Sequence, residues 1–479
     1  MSSALFQNDD TGREAFGMIA GRAVQWIIHY YEQIESLPVR SQVQPGDVYN
    51  KFPDAPSESA VPVDEVFAQL DEAILPGITH WQHPGFYAFF PGNTSFPSIT
   101  AEILTAGIAA QCMLWESSPA AAELEQRCVE WCRDLLGLPH HCKGAIQDTA
   151  STATLTALLT AREWKTGFEI SSKGFDGRTY RIYASAQAHS SVEKAVRLAG
   201  FGTDNLVYIA TDENLSMIPS MLEKAIQDDL AIGFIPVCVV STIGTTATGA
   251  IDATESINVI AKTFDIWHHV DAAYAGTVMM LEEFAHLRTG MDGVDSFVFN
   301  PHKWMFVQFD CSIYLVKDAD LLTRTMRITP SYLATVYGER VNDYRDWGIP
   351  LGRRFRALKL WMTFQLLGIS AIKERQRHHL ALAKNIEDKI KQDNRLSQAY
   401  DRRFNIVTFR VKEELDANGQ LTKKLSEMIN ESGKAYMTHA VVEGKGLIRW
   451  VPAQTYVELR HIDEAWWLIQ NCLEKLIRL

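Results

Sequence analysis

The 479-residue sequence has no long apolar run, few cysteines and no excess of positive charge. No stretch approaches the roughly 18 consecutive apolar residues that a membrane-spanning helix requires. Acidic residues outnumber basic ones, 58 to 46, whereas proteins that bind nucleic acid or an anionic membrane over a broad face carry the opposite balance. Seven cysteines in so long a chain predict free thiols in a reducing cytosol rather than a disulfide framework. These absences predict a cytoplasmic protein with no nucleic-acid partner and no membrane partner.

Several familiar catalytic and binding signatures are also absent. The sequence has no P-loop, no G-x-S-x-G elbow and no H-E-x-x-H motif. A Gly-x-Gly at 200–202 begins a dinucleotide-binding pattern, but Asn205 stands in place of the third glycine and a helix precedes the pattern. Cys128 and Cys132 are spaced as neighbours on an apolar helix face, which favours core packing over zinc binding. We therefore predict no metal site.

The composition is typical of a globular protein with more than one packed unit. Hydrophobic residues make up 47% of the chain and charged residues 22%. A chain of this length is too long to fold around a single small core. The helical and strand patterns predict three parts: an N-terminal helical arm at 1–80, a large α/β domain at 81–360 and a small C-terminal α+β domain at 361–479.

The middle of the chain alternates short apolar runs with helical stretches. The predicted strands are Arg181–Ser185, Leu206–Ala210, Val237–Thr242, Ile266–Asp271 and Ser296–Phe299. Strands that alternate with helices predict a mostly parallel sheet covered on both faces. In such a sheet, binding and catalytic residues lie at the carboxyl ends of the strands.

Three features at these strand ends together describe a pyridoxal phosphate pocket. Ala150 and Ser151 begin a predicted helix, where free N–H groups can bind a phosphate. Asp271 ends an almost wholly apolar strand, where a carboxylate needs a cationic partner. Lys303 follows another apolar strand, where burial can turn its amine into a nucleophile. Each feature alone has an ordinary alternative: a helix cap, a strand-end cap or a surface lysine.

The motifs around these residues resemble those of a known family. They read PGITHW at 76–81, TASTAT at 149–154, AHSSVEKA at 188–195, HVDAAYAG at 269–276, FNPHKW at 299–304 and DYRDWGIPLGRRFRALKLW at 343–361. The sequence resembles the pyridoxal-phosphate-dependent group II decarboxylases, most closely the aromatic-L-amino-acid decarboxylase branch. The resemblance implies the aspartate aminotransferase-like fold (fold type I), pyridoxal 5'-phosphate (PLP) as cofactor and decarboxylation of an amino acid.

The resemblance also implies the catalytic roles. Lys303 would form the covalent link to the cofactor, and Asp271 would pair with the pyridine nitrogen. His189 would stack on the cofactor ring, and His302 would lie beside the lysine. Tyr332, in the sequence TPSYL at 329–333, would lie on a mobile loop and return a proton to the substrate.

The remaining cofactor contacts come from the same resemblance. Ala150, Ser151, Thr246 and Asn300 would hold the phosphate and its surroundings, and Ala273 would lie beneath the ring. Thr246, Ala273 and Asn300 follow predicted strands, as a cofactor site in a parallel sheet requires, and Ala150 and Ser151 begin a predicted helix.

The segment 76–97 is rich in aromatic residues and contains no lysine or arginine, which favours an aromatic amino acid over glutamate as substrate. The predicted substrate pocket comprises Trp81, Phe89, Phe90, Gly92 and Met113. Gly92 stands where animal relatives carry threonine and leaves room for a larger ring. Tryptophan, tyrosine, DOPA and 5-hydroxytryptophan therefore all remain possible substrates.

The resemblance further implies a homodimer with shared active sites, in which residues 1–75 wrap over the partner. Three alternatives remain: a PLP-dependent decarboxylase of another amino acid, an aminotransferase, lyase or aromatic aldehyde synthase on the same fold, and a non-catalytic scaffold. Tyr332 and the stretch 352–361 favour decarboxylation. Retention of Lys303, Asp271 and His189 argues against a scaffold.

Overall fold

A seven-stranded central sheet forms the middle of the molecule, which is known from a computed structural model that describes residues 4–328, 337 and 340–477. Its strands are β1 (Lys143–Gln147), β2 (Tyr180–Ser185), β3 (Leu206–Ile209), β4 (Ile235–Thr242), β5 (Trp267–Asp271), β6 (Ser296–Phe299) and β7 (Ser312–Val316). Their order is β1-β7-β6-β5-β4-β2-β3, and only β7 runs against the others. The predicted mostly parallel sheet is confirmed.

Fourteen α-helices are present in the described part of the chain. They are α1 (Asp10–Gln33), α2 (Val63–Gln69), α3 (Phe96–Ile108), α4 (Pro119–Leu135), α5 (Ala150–Thr166), α6 (Glu169–Lys173), α7 (Ser190–Leu198), α8 (Pro219–Ala231), α9 (Thr254–Thr263), α10 (Pro301–Trp304), α11 (Ala319–Met326), α12 (Arg356–Gln392), α13 (Gln420–Glu431) and α14 (Leu459–Ile477).

Helix α5 packs closely on the central sheet because its inward face is built from small residues. Ala153, Ala157 and Ala161 are fully buried among the side chains of the sheet. Small side chains let the helix axis approach the sheet, and the helix N-terminus thereby comes to the carboxyl end of β1. The packing of α5 thus brings one end of the predicted phosphate site to the edge of the sheet.

The five predicted strands are all present, but the sequence patterns do not single out β1 and β7. Strand β1 has only five residues, including Gly144, and its register pairs it with β7 in antiparallel fashion. A Cβ at Gly144 would lie 2.1 Å from the Tyr314 carbonyl oxygen, so this pairing requires glycine. Glycine weakens strand patterns in sequence, which explains why this strand escapes prediction.

The C-terminal part forms a second, antiparallel sheet. Its strands are β8 (Leu396–Arg403), β9 (Ile406–Val411), β10 (Thr438–Val442) and β11 (Lys445–Trp450), in the order β10-β11-β9-β8. Helices α12, α13 and α14 pack on it around one core. The predicted N-terminal helices and small α+β unit are confirmed. The predicted boundary at residue 360 falls inside α12, which is interrupted at Gly368 (φ 75°), so the division into domains stays a prediction.

Within the described residues, we find no helix with both the length and the apolar character needed to cross a bilayer. All seven cysteines are buried free thiols. Burial raises the pKa of Cys112 to about 11 and that of Cys142 to about 11. These thiols are therefore packing residues that stay protonated at neutral pH.

Candidate functional site

The segments that follow β1, β2, β4, β5 and β6 meet at one edge of the central sheet, around a cavity of about 200 Å³. These five strands are parallel to one another, so their carboxyl ends lie on the same side. The predicted residues that line the cavity are Phe90, Ala150, Ser151, His189, Thr246, Asp271, Ala273, Asn300, His302 and Lys303. A larger cavity, about 790 Å³, lies between the end of α1 and the start of α14 and contains none of the predicted site residues.

One end of the cavity is the N-terminus of helix α5. Thr149 caps the helix, since its side-chain oxygen accepts a hydrogen bond from the Thr152 N–H at 3.4 Å. The N–H groups of Ala150 and Ser151, in the first turn, have no acceptor within the helix. Together with the positive end of the helix dipole, they form a site suited to an anion such as a phosphate.

Asp271 lies at the carboxyl end of β5 and is only 4% exposed. Its Oδ1 accepts a hydrogen bond from the Ala273 N–H at 3.0 Å, which fixes the carboxylate against the turn that follows the strand. The carboxylate acts electrostatically on both Lys303 and His189. Asp271 is thus a buried carboxyl group that lines the cavity together with polar side chains.

Lys303 is held in place through its backbone. Its N–H donates to the Asn300 carbonyl at 2.9 Å, and its carbonyl accepts from Asn93 Nδ2 at 2.5 Å. Burial lowers the pKa of the Lys303 amine to about 8; the Asp271 carboxylate opposes this shift, and the Arg449 guanidinium adds to it. A substantial fraction of the amine is therefore neutral and nucleophilic near physiological pH.

His189 caps helix α7, and its ring orientation follows from that role. Its Nδ1 accepts a hydrogen bond from the Ser191 N–H at 3.1 Å, so in the neutral ring the proton is on Nε2. Burial lowers the pKa of His189; the Asp271 carboxylate raises it, and the Lys303 amine lowers it further. The ring is consequently a neutral, flat surface in the lining of the cavity.

His302 precedes the lysine and is 3% exposed. Its Nδ1 accepts a hydrogen bond from the Cys311 N–H at 3.0 Å. Burial lowers the pKa of His302 to about 3, and the nearby Lys303 amine adds to the shift. The imidazole is therefore neutral, and it ties α10 to the start of β7.

Six further residues line the cavity although the sequence patterns do not single them out. They are Thr149, Ser191, Thr242, Gly244, Tyr274 and Phe309. The first five lie within a few residues of a strand end, so the rule that placed their neighbours could have found them. Gly244 has φ 88°, and a Cβ there would lie 2.6 Å from the Ala275 Cβ. Phe309 carries no such signal, because it lies in an apolar loop after α10.

Four of the five predicted substrate-pocket residues lie away from the cavity within one chain. Trp81 stacks on Phe86 and Phe89 at ring-centroid distances of 4.6 and 5.7 Å. Gly92 adjoins Trp81: a Cβ added at Gly92 would lie 4.0 Å from the Trp81 ring. Met113 also lies outside the cavity lining, and its carbonyl accepts a hydrogen bond from the Arg345 N–H at 2.9 Å. Of the predicted set, only Phe90 reaches the cavity lining.

The predicted proton donor, Tyr332, lies outside the described residues. Its role stays a prediction that rests on the resemblance.

The residues of the cavity fit PLP. A helix N-terminus suits its phosphate, a buried carboxylate suits a protonated pyridine nitrogen, and a partly neutral lysine suits its aldehyde. The Thr242 hydroxyl lines the cavity and is buried without a hydrogen-bond partner among the described residues, which leaves it for a ligand.

The chain is similar to known proteins over almost its full length. It matches the family model for the pyridoxal-dependent decarboxylase conserved domain over residues 45–412. It is 38% identical to phenylacetaldehyde synthase from Arabidopsis thaliana over 94% of each chain. It is 36% identical to tryptophan decarboxylase 2 from Oryza sativa subsp. japonica over 95% of this chain and 94% of the relative. The crystal structure of Oryza sativa TDC with PLP and tryptamine has a TM-score of 0.95 at 32% identity, covering 98% of this chain and 100% of that one.

Proposed function

Because the chain belongs to the pyridoxal-dependent decarboxylase family and has PLP as its cofactor, we propose that it converts an aromatic L-amino acid to the corresponding amine and CO₂. The family, the fold type, the cofactor and the enzyme class implied by the resemblance are confirmed. The observation that supports an aromatic substrate is a stacked aromatic patch, Trp81, Phe86 and Phe89, which directly precedes Phe90 of the cavity lining in the chain.

The roles of the cavity residues follow from their chemistry. Bound PLP supplies an acceptor for the electron pair left when CO₂ departs. Asp271, fixed by the Ala273 N–H, would hold a proton on the pyridine nitrogen and so keep that acceptor strong. The N-terminus of α5 would hold the phosphate, with Thr246 and Asn300 beside it.

Two side chains would have separate roles: one would transfer protons, and the other would orient the cofactor. Lys303, whose amine is partly neutral, can accept a proton from the incoming substrate ammonium group and later donate one. His189, neutral and capped against α7, presents a rigid ring that would hold the flat cofactor in one orientation. Orientation matters because the bond to the carboxylate must stand perpendicular to the ring for its electrons to be accepted.

An aromatic substrate suits the surroundings better than an acidic one. The segment 76–97 has no lysine or arginine to pair with a side-chain carboxylate, and its aromatic patch is partly exposed, with Trp81 at 39% and Phe89 at 43%. An aromatic ring could bury these exposed faces by stacking. The 36% identity between this chain and tryptophan decarboxylase 2 also supports an aromatic substrate.

Aldehyde synthesis is the second candidate, since phenylacetaldehyde synthase from Arabidopsis thaliana is 38% identical. The resemblance implies that aldehyde formation goes with loss of the tyrosine or the histidine that this sequence has as Tyr332 and His189. The retention of both residues favours release of the amine.

The proposal is tested by one incubation of the holoenzyme with L-tryptophan, L-tyrosine, L-DOPA, 5-hydroxytryptophan, L-phenylalanine, L-histidine or L-glutamate. We expect amine and CO₂ in equal amounts from at least one aromatic substrate. Its kcat/KM should exceed that of L-glutamate by at least about 100-fold, since a substrate carboxylate without a cation would remain unpaired. Hydrogen peroxide and aldehyde, measured alongside, should be minor products. A preference for L-glutamate would show that the aromatic assignment is wrong while leaving the family assignment intact.

We further propose that the protein is a homodimer with shared active sites. Large apolar side chains are exposed on two N-terminal helices: Phe16 and Met18 on α1, and Ile103, Leu104 and Ile108 on α3. Exposed apolar groups of this kind are typical of a surface covered by a partner. A second copy would also bring the aromatic patch and Met113 toward a cavity that they do not reach within one chain.

Sedimentation velocity should give about twice the 53.9 kDa chain mass. Leu104→Glu should shift the protein toward the monomer, because the new charge would be buried in the contact. Trp467→Glu is the matched control: Trp467 is 63% exposed on α14, at the small sheet, and its replacement should leave the dimer intact. A wild-type monomer at micromolar concentration would contradict the proposal.

A further inference from the structure

Arg449 is a buried cation without an anionic partner. It belongs to strand β11 of the small sheet and is 2% exposed. Its guanidinium donates to two carbonyl oxygens, from Nε to Ala247 at 3.1 Å and from Nη2 to Phe89 at 3.4 Å. Within the described ranges, no carboxylate oxygen lies within 4.0 Å of it. A buried charge is costly without compensation, so its presence here requires a reason.

The Arg449 guanidinium and the Lys303 amine both lie near the Phe90 ring. Arg449 Cζ lies 5.1 Å from the ring centroid, and Lys303 Nζ lies 5.3 Å from the same centroid. Tyr274 stacks on the ring at 3.7 Å and 6°. The face of an aromatic ring is electron-rich, so one ring can attract two cations and partly offset their burial. Phe90 therefore interacts with both cationic side chains, which repel each other.

The other titratable groups around the lysine do not balance this repulsion completely. The Asp271 carboxylate raises the pKa of the Lys303 amine, whereas burial and Arg449 lower it. Burial lowers the pKa of both His189 and His302, which leaves the two imidazoles neutral. Asp271 and Arg449 are thus the two charged neighbours that act on the amine, with opposite effects.

We propose that Arg449 is a positioning residue that acts across the Phe90 ring to hold the Lys303 amine in its neutral, nucleophilic form. The neutral form carries the lone pair that reaction with a carbonyl group requires. Asp271 favours the ammonium form, and the positive charge of Arg449 adds to burial in opposing that effect. The inference rests on Lys303 as the residue that links the cofactor, a role that belongs to the proposed function.

The test measures the lysine directly, in the full-length chain freed of cofactor. An amine-reactive reagent is applied across a pH series, and modification of the Lys303 peptide is quantified by mass spectrometry. Arg449→Gln keeps hydrogen-bond donors but removes the charge, and should raise the midpoint of Lys303 modification by about one pH unit. Arg449→Lys keeps the charge and should leave the midpoint nearly unchanged.

A second measurement is the rate of PLP uptake at pH 7, followed by absorbance. It should fall about tenfold in Arg449→Gln, matching the smaller neutral fraction, and should be close to wild type in Arg449→Lys. Arg449→Met serves as a second charge-free variant should the glutamine variant fold poorly. Lys317, which follows β7 at the opposite edge of the sheet, is the internal reference, and its modification midpoint should not change.

Two outcomes would overturn the inference. An unchanged Lys303 midpoint in both charge-free variants, together with a raised KM for the amino acid, would show that Arg449 acts on the substrate instead. Equal midpoint shifts in the lysine and glutamine variants would show a packing role. A failure of Lys303 to become linked to PLP in the wild type would contradict the proposed function, and the modification midpoints would still report on the charge effect.

Discussion

Replacing Lys303 with alanine should lower amine formation by at least about 10³-fold and should remove the visible absorption band of the lysine-linked cofactor. Among the described residues that line the cavity, Lys303 carries the one strong nucleophile, and its backbone is fixed by Asn300 and Asn93. Alanine deletes both the covalent attachment and the group that can move protons at the substrate. PLP should still bind, more weakly, through the N-terminus of α5 and Asp271.

Lys317→Ala is the matched control for this variant. Lys317 also follows an apolar strand, but β7 is antiparallel to its neighbours, so this lysine lies at the opposite edge of the sheet. Its replacement should leave both the absorption band and the rate close to wild type. Borohydride treatment followed by peptide mapping should place the reduced cofactor on Lys303 in the wild type. A label on another lysine would refute the assignment.

The residues that follow the strands could be predicted because parallel strands leave little choice. Once the middle of the chain is interpreted as alternating strands and helices, the ends of β2, β4, β5 and β6 must lie on one side of the sheet. His189, Thr246, Asp271 and Lys303 are polar residues at those ends, and the structure brings all four to one cavity. Local pattern and topology together therefore suffice for this half of the site.

The rest of the site depends on contacts between distant segments, which local patterns do not reveal. Asn93 reaches the Lys303 carbonyl from 210 positions away, and Arg449 comes from the small sheet. Asn93 lies in a loop sequence and Arg449 in an apolar run, and neither context marks the residue as part of the site. Strand β7 presents the same difficulty at the level of the fold, since its antiparallel direction is set by its two neighbours and not by its own residues.

The predicted substrate residues illustrate a third limit. Trp81 and Phe89 are aromatic residues in a family motif, and the structure shows them stacked and partly exposed rather than facing the cavity of their own chain. A surface of that kind is consistent with a site completed by a second copy, which no pattern within one sequence could locate. Their role in substrate binding therefore stays a prediction.

Replacing Tyr332 with phenylalanine should change the product from the amine to an aldehyde. The resemblance makes this tyrosine the donor of the proton that replaces CO₂ on the substrate Cα. Without that proton, the electron-rich product of CO₂ loss persists long enough to react with oxygen. The net reaction then consumes the amino acid, O₂ and water, and releases the aldehyde, CO₂, ammonia and hydrogen peroxide. We expect aldehyde to become the main product, with total CO₂ release reduced by less than about tenfold.

Tyr274→Phe separates this effect from the loss of any hydroxyl near the cofactor. Tyr274 lines the cavity, but its hydroxyl donates its hydrogen to Asn405 Oδ1 at 2.8 Å. Asn405 lies between β8 and β9 of the small sheet, so this hydrogen is not directed at the substrate. Its removal should leave the ratio of amine to aldehyde unchanged, as measured by chromatography and a peroxide assay in the same incubation. If Tyr332→Phe kept the wild-type ratio and Tyr274→Phe produced aldehyde, the proton donor would be Tyr274, and the role inferred from the sequence of residues 329–333 would be wrong.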